Sequence, residues 1–224
     1  MDNPNYRVVG DKSVEAGRGI GQIGWYRFAA AQVAGHSVID IGCGLGRGLE
    51  ELRKTATKVV GQDLDERLAR PDIIIGPLSE IPTKSSDFVT CIDVIEHVED
   101  DMGFIHQLAR IARNAIFIST PLWVHGRKVW PYHVREYTFE EFLALCSPLG
   151  KCTFYKGSPT GETVVEISSI ERFRLLHRLL NNPMTNIPTR AFQKLLPSRS
   201  RSMAHQAARI SVSGQRLDAA ASAQ

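Results

Sequence analysis

From about residue 25, short β-branched runs alternate with longer stretches whose apolar residues recur at helical spacing, the pattern of βαβ units around a parallel sheet. Residues 25–33 (WYRFAAAQV) read as a helix ending at Gly35, and 37–41 (SVIDI) as a buried strand that runs into glycines. A helix over 45–54 follows, then strands at 58–62 (KVVGQ) and 72–75 (DIII) with an unusually short connection between them. Residues 87–92 (DFVTCI) make a fourth strand, 101–112 a helix, and 114–119 (NAIFIS) a fifth strand stopped by Pro121. Thr138 and Glu141 have capping-box spacing at the start of a helix over 138–146, whose Phe139, Phe142 and Leu143 share a face. Residues 152–155 and 163–167, joined through Gly157–Gly161, read as a closing hairpin-like pair. The pattern thus predicts an α/β domain over 25–169, with a seven-stranded, mostly parallel sheet and helices on both faces, and a flexible N-terminal lead over 1–24.

The remainder differs in kind. Residues 171–180 (ERFRLLHRLL) form a basic amphipathic helix candidate, Pro183, Pro188 and Pro197 then interrupt, and the last 25 residues or so are polar and small enough to be expected poorly ordered. The overall +3 charge therefore hides a split: residues 1–169 hold 18 Lys and Arg against 22 Asp and Glu, whereas 170–224 hold 9 against 2. A basic segment of this kind seeks phosphates or anionic lipid, or stays solvated. With 224 residues and 43% hydrophobic content, a wholly disordered chain is excluded. No apolar run reaches 18 residues and Met1–Gly10 has neither a basic nor an apolar leader region, so a cytoplasmic protein is expected. Four cysteines without a Cys-x-x-Cys pair fit reduced thiols, and no metal site is expected from them.

Candidate chemistry begins at Val38-Ile-Asp40-Ile-Gly42-Cys43-Gly44-Leu-Gly46-Arg-Gly48. A strand that breaks into alternating glycines and opens a helix lets the backbone approach a ligand without Cβ interference and aims N–H groups at it, a nucleotide-type site at the C-terminal edge of a sheet. The Gly-x-Gly-x-x-Gly spacing of dinucleotide sites fails in every register here. Gly19-Ile-Gly-Gln-Ile-Gly24 matches it formally, but no apolar strand precedes it. At the end of the second strand Asp63, followed by Leu64, is placed to take both ribose hydroxyls, while Asp65 reads as a helix N-cap.

The Asp-x-Gly-x-Gly-x-Gly run resembles the first motif of class I methyltransferases that use S-adenosylmethionine (SAM), which share a Rossmann-like sheet. That resemblance implies that Asp40 orients the loop, that Gly42, Cys43, Gly44 and Gly46 pass beneath the methionine moiety, and that Asp63 and Leu64 meet the ribose and its surroundings. The family usually ends its third strand in Gly-Asp, the acid meeting the adenine amino group. Here Gly76-Pro77 stands instead, so adenine recognition would rest on the Leu78 backbone and apolar packing. Cys91-Ile-Asp93-Val-Ile-Glu96-His97-Val is similar to the Glu-His motif of the small-molecule branch, with Asp93 under the methyl donor and His97 a candidate base, or with Glu96 and His97 merely pinning the next helix. Glu99, Asp100 and Asp101 read as solvated charges at a helix start rather than metal ligands.

Trp25-Tyr26-Arg27-Phe28 and Tyr132-His133-Val-Arg135-Glu136-Tyr137-Thr138 extend the resemblance to bacterial methyltransferases of cell-surface glycan biosynthesis. There Arg27 would pair with the SAM carboxylate, and His133 and Arg135 would meet a hydroxylated or acidic acceptor; structural roles for Tyr26 and Arg135 stand beside these. The loop Leu122–Pro131, with two tryptophans and His125, suits stacking on a sugar or planar acceptor, or a hydrophobic lid. The expected function is methyl transfer from SAM to a hydroxyl or amine of a small molecule or glycan precursor. A non-catalytic binding protein on the same fold is the alternative that Pro77 raises, and nucleic-acid methylation the weaker one raised by the tail. No DNA partner is expected, because no Asn-Pro-Pro-Tyr run follows the fourth strand and the tail lacks interleaved aromatics. For the helix at 171–180 the open partners are an anionic membrane surface, its own domain, or a second copy of the chain.

Overall fold

The computed structural model describes residues 22–124, 128–181 and 205–212. Helix α1 (Ile23–Gln32) leads into strand β1 (Ser37–Ile41), followed by α2 (Arg47–Leu52), β2 (Lys58–Asp63), β3 (Ile73–Ile75), β4 (Ser86–Ile92), α3 (Asp101–Ile111) and β5 (Ala112–Pro121). Then come α4 (Phe139–Cys146), β6 (Lys151–Gly157), β7 (Val164–Glu166), α5 (Ile170–Asn181) and β8 (His205–Ser211). The sheet order is β3-β2-β1-β4-β5-β8-β6-β7. Strands β3 to β5 in this order are all parallel, and β8 runs antiparallel to both β5 and β6. The chain order reverses between β1 and β4, so the loops leaving those two strands diverge and open a crevice at their C-terminal ends, where ligands of such sheets bind.

Two cores cover the two faces of the sheet. Trp25, Ala29, Leu49 and Leu52 of α1 and α2 pack with Phe88 and Phe117 on one side; Ile105 and Leu108 of α3, and Phe139 and Phe142 of α4, pack on the other. The expected capping box holds: the Thr138 hydroxyl accepts from the Glu141 backbone N–H, and the Glu141 carboxylate from that of Thr138. The predicted hairpin at β6 and β7 also forms, with Tyr155 opposite Glu166.

Among the described residues the sheet has eight strands, not the expected seven, and the eighth comes from the segment expected to be poorly ordered. Ala207, Ala208 and Ile210 of β8 are fully buried in the middle of the sheet. The folded unit therefore does not close at residue 169. Small side chains hid this strand from a propensity reading, because a central strand covered by helices on both faces needs only a compact profile, and alanine supplies it. Residues 1–21 of the expected flexible lead lie outside the described residues, and α1 starts two residues before the predicted Trp25. Gly24 belongs to this helix, where a Cβ would meet the backbone of Thr160 and Gly161 at 2.4 Å, so the last glycine of the false dinucleotide motif serves packing.

The basic helix α5 docks on its own domain. Phe173 meets Phe139 edge-on at 4.6 Å between centroids, and Arg174 and Arg178 both pair with Glu140. Burial pushes the pKa of its His177 down from 6.5. The folded state thus binds this proton less readily than the unfolded chain, so the stability is present above about pH 6.5 and declines as the pH falls. The melting temperature should drop between pH 7.5 and 5.0, and His177→Gln should flatten the drop. A chain ending at residue 204 lacks β8 and should lose cooperative thermal unfolding by circular dichroism; a melt equal to that of the full chain would refute the central role of this strand.

Candidate active site

At the end of β1 the backbone leaves the sheet through three glycines in the left-handed region: Gly42 at φ +66°, Gly44 at +54° and Gly46 at +72°. Side chains rarely adopt this conformation, and at Gly42 a Cβ would also come within 2.7 Å of Val94. The loop is tied to the neighbouring strand. Cys43 N–H donates to the Gln62 carbonyl, and Gly44 N–H donates to Asp63 Oδ2 at 2.8 Å. Asp63 Oδ1 accepts from the backbone of Leu64 and Asp65, so this carboxylate clasps both loops together. Asp65 caps the turn after it, as its position predicted.

Beside this clasp lies a cleft of about 290 Å³. Of the expected cofactor residues, Gly42, Asp63, Leu64 and Leu78 line it. Helix α3 supplies the opposite wall through Gly103, Phe104 and Gln107, residues that the motif reading missed. Arg110, also missed, braces that wall: its guanidinium donates to the carbonyls of Leu78 and Ile81, both at 2.7 Å, and to Gln107 Oε1. The Leu78 carbonyl accepts from Ile81 N–H as well. Both its lone pairs are engaged, so the Leu78 backbone could meet a base only through its N–H, while Gln62, Asp63, Ser79, Asp100 and Gln107 are the polar residues lining the cleft.

Other expected residues lie elsewhere. Arg27 points along the outer face of α1 toward Glu51, 3.5 Å away, with a side chain 64% exposed; it is not at the cleft. Helical geometry accounts for this, since buried Tyr26 beside it takes the inward position. Asp40 is fully buried and accepts from Tyr26 Oη and Thr90 Oγ1, so it anchors α1 to the sheet. Cys43 turns its side chain into the core beside Gly61 and Leu49.

Asp93 sits at the mouth of β4, itself left-handed at φ +53° and 5% exposed. Its carboxylate accepts from Gln22 Nε2 at 2.7 Å and Ser119 Oγ at 2.8 Å, and His205 Nε2 lies 3.0 Å away. Gln22 precedes α1 and His205 opens β8, so the two ends of the described chain meet on one carboxylate. His205 Nδ1 and Gln22 Oε1 are buried without a hydrogen-bond partner of their own. Neither Gln22, inside the Gly19–Gly24 run, nor His205, far along the chain, carried a signal for this arrangement.

On the far side of β4, the Glu96 carboxylate is buried and accepts from Thr120 Oγ1, while its backbone carbonyl accepts from Val134 N–H. His97 Nδ1 lies 3.0 Å from the Tyr132 carbonyl and His133 Nδ1 2.9 Å from Glu136 Oε1, with the two rings 4.9 Å apart. The candidate bases are thus adjacent. Trp130 and Tyr132 project beside them, 58% and 48% exposed, while residues 125–127 of this loop, including His125, lie outside the described residues. Arg135 pairs with Asp101 at 2.7 Å and donates to the Glu99 carbonyl. Asp100 caps α3 through Gly103 N–H, so these acids work at the helix start.

The chain that carries these features matches a known family. The family model of the methyltransferase domain covers residues 24–159. The chain belongs to the methyltransferase domain family. A probable S-adenosylmethionine-dependent methyltransferase of Mycolicibacterium smegmatis is 33% identical over 142 residues, 56% of this chain and 55% of that protein. A ubiquinone biosynthesis O-methyltransferase of Bordetella bronchiseptica is 28% identical over 116 residues, 44% of this chain and 48% of that one. The chain spans about half the length of the curated relatives it matches. Among solved structures, a SAM-dependent methyltransferase of Thermotoga maritima, described as a possible histamine N-methyltransferase, superposes with a TM-score of 0.53 at 14% identity, covering 85% of this chain and 91% of its own. That similarity speaks for the fold alone.

For this methyltransferase-family chain the Asp93 cluster yields a test. His205→Leu removes a donor from a buried carboxylate and should cost about 1–3 kcal/mol of stability in urea unfolding. His205→Gln, which can still donate, should recover part of it. Equal midpoints for all three proteins would show that the contact carries no weight.

Proposed function

We propose that this chain is a SAM-dependent methyltransferase that moves a methyl group to a hydroxyl or amine of a small molecule or glycan precursor. The observation that carries the reading is the cleft between the left-handed glycine loop and α3, walled by Gly42, Asp63, Leu64 and Leu78. Its shape fits a nucleoside: apolar side chains of Leu64, Leu78 and Val94 face a flat base, and a buried carboxylate stands where paired hydroxyls would lie. SAM, when bound, supplies an electrophilic methyl on a sulfonium whose departure as a thioether needs no proton.

The protein's task is then alignment and exclusion of water, which can supply about 7–11 kcal/mol of barrier reduction. Asp63 would orient the ribose while holding the glycine loop, and the Asp93 cluster would fix the mouth of β4 beneath the donor. An acceptor hydroxyl attacks through an oxygen lone pair; its proton would pass to His97 or His133. Each of these rings has a carbonyl or carboxylate at Nδ1, which fixes the proton there and leaves the lone pair on Nε2. The name of the Bordetella relative, an O-methyltransferase, favours the hydroxyl over the amine. Trp130 and Tyr132 offer exposed rings on which a sugar or planar acceptor would stack.

The tail keeps a lipid-surface role within this reading, because Leu175 and Leu179 of α5 are 61% and 42% exposed beside Arg172 and Arg178. No helix among the described residues is long and apolar enough to cross a membrane.

Calorimetry with SAM is the direct test. Wild-type protein should bind one equivalent, Asp63→Ala should weaken binding by about tenfold or more, equivalent to the loss of about 1.4 kcal/mol or more from one charge-assisted contact, and Gly42→Val should abolish it. Absence of heat with the wild type, or unchanged binding in both variants, would refute the proposal.

A further inference from the structure

Glu96, His97 and His133 present one ligand atom each within 4.8 Å of one another. Glu96 is 1% exposed, and the side chain of His133 is 12% exposed. The hydrogen bonds determine which nitrogen each ring offers. A carbonyl only accepts, so His97 Nδ1, 3.0 Å from the Tyr132 carbonyl, carries the proton. A carboxylate does the same for His133 Nδ1, 2.9 Å from Glu136 Oε1. Both rings therefore have an acceptor behind Nδ1, the arrangement that orients metal-ligating imidazoles. Thr120 Oγ1 likewise donates to Glu96 Oε2 at 3.0 Å and fixes that carboxylate. The rings meet edge-to-face, 80° apart in plane, so neither stacks over the other.

We propose that Glu96, His97 and His133 form a site for a divalent transition-metal ion, Zn²⁺ foremost, held by two imidazoles and one carboxylate. With metal–ligand bonds of about 2.0–2.1 Å, adjacent ligand atoms of a tetrahedral ion lie about 3.4 Å apart. The present spacing thus closes with side-chain shifts on the order of 1 Å. Three protein ligands leave a position open, as in catalytic rather than structural zinc sites. The site lies one turn beyond Val94, which lines the cleft, and beside the exposed rings of Trp130 and Tyr132. With the ion bound, His97 and His133 would serve as ligands rather than as bases, and an acceptor hydroxyl in the open position would lose its proton to water more readily, leaving the oxygen lone pair to attack. This use of the metal rests on the methyl-transfer reading; the binding of the metal does not.

The test uses untagged full-length protein stripped with a chelator and dialysed. Zn²⁺ alone is titrated by calorimetry, and X-ray absorption at the zinc edge reads the ligands in the wild type. One equivalent should bind with a nitrogen- and oxygen-rich shell showing imidazole scattering. His97→Ala and His133→Ala should each weaken binding by about 100-fold, and Glu136→Gln, which removes the carboxylate behind His133, by about 10-fold. SAM binding by the same variants reports that they are folded. No binding by the wild type, a sulfur-containing shell, or unchanged affinity in both folded histidine variants overturns the site. Failure of SAM binding with the zinc titration intact would count against the methyltransferase reading alone.

Discussion

The Asp93 carboxylate is the point on which the rest of the structure converges. A buried charge is costly unless several donors meet it, and the backbone here adopts a left-handed conformation that a non-glycine residue enters at a cost of about 1–3 kcal/mol. Gln22, Ser119 and His205 surround it, contributed by the segment before α1, by β5 and by β8. Residues separated by as many as 183 positions thus become neighbours through one side chain. The same contact holds the loop after β4 in the turn that carries Val94 to the glycine loop and Glu96 and His97 to the acceptor side. Both walls of the candidate site are referenced to this carboxylate.

The constraint also explains why the tail returns. Without β8, the β5 edge and the β6–β7 hairpin would each expose unpaired backbone groups in the middle of the sheet. With it, Ala207 and Ala208 fill a narrow central slot and His205 reaches Asp93 at the strand's first residue. The charge asymmetry of the sequence therefore does not divide an acidic domain from an independent basic appendage. Part of the basic segment is structural: Arg174 and Arg178 neutralise Glu140, and Arg209 lies over the ring of Phe88.

What the sequence made legible was what backbone conformation dictates. The left-handed turn through Gly42, Gly44 and Gly46 and the strand end at Asp63 were readable because φ values and strand ends have local signatures. The first five strands and the capping box at Thr138 were readable for the same reason. Arg27, Gln107 and His205 were misread or missed because their positions are set by which face of an element meets which neighbour. Arg27 and Tyr26 are adjacent in sequence yet take opposite surfaces of α1, and only the packing of Tyr26 against Gly48 decides between them.

This division carries over to chemistry. The cofactor wall is built largely from backbone geometry and apolar contacts, braced by Arg110, so it can lose the acid expected at Pro77 while keeping its shape. The proposed acceptor wall would be built from side chains of residues 130–135, attached to the domain through backbone bonds from Val134 and Arg135 to Glu96 and the Arg135–Asp101 pair. Substitutions at Trp130, Tyr132 or His133 can change what the acceptor meets without disturbing the glycine loop. On the proposed reading, donor binding and acceptor specificity would thus be carried by different physical elements, joined where Val94, Glu96 and His97 follow Asp93.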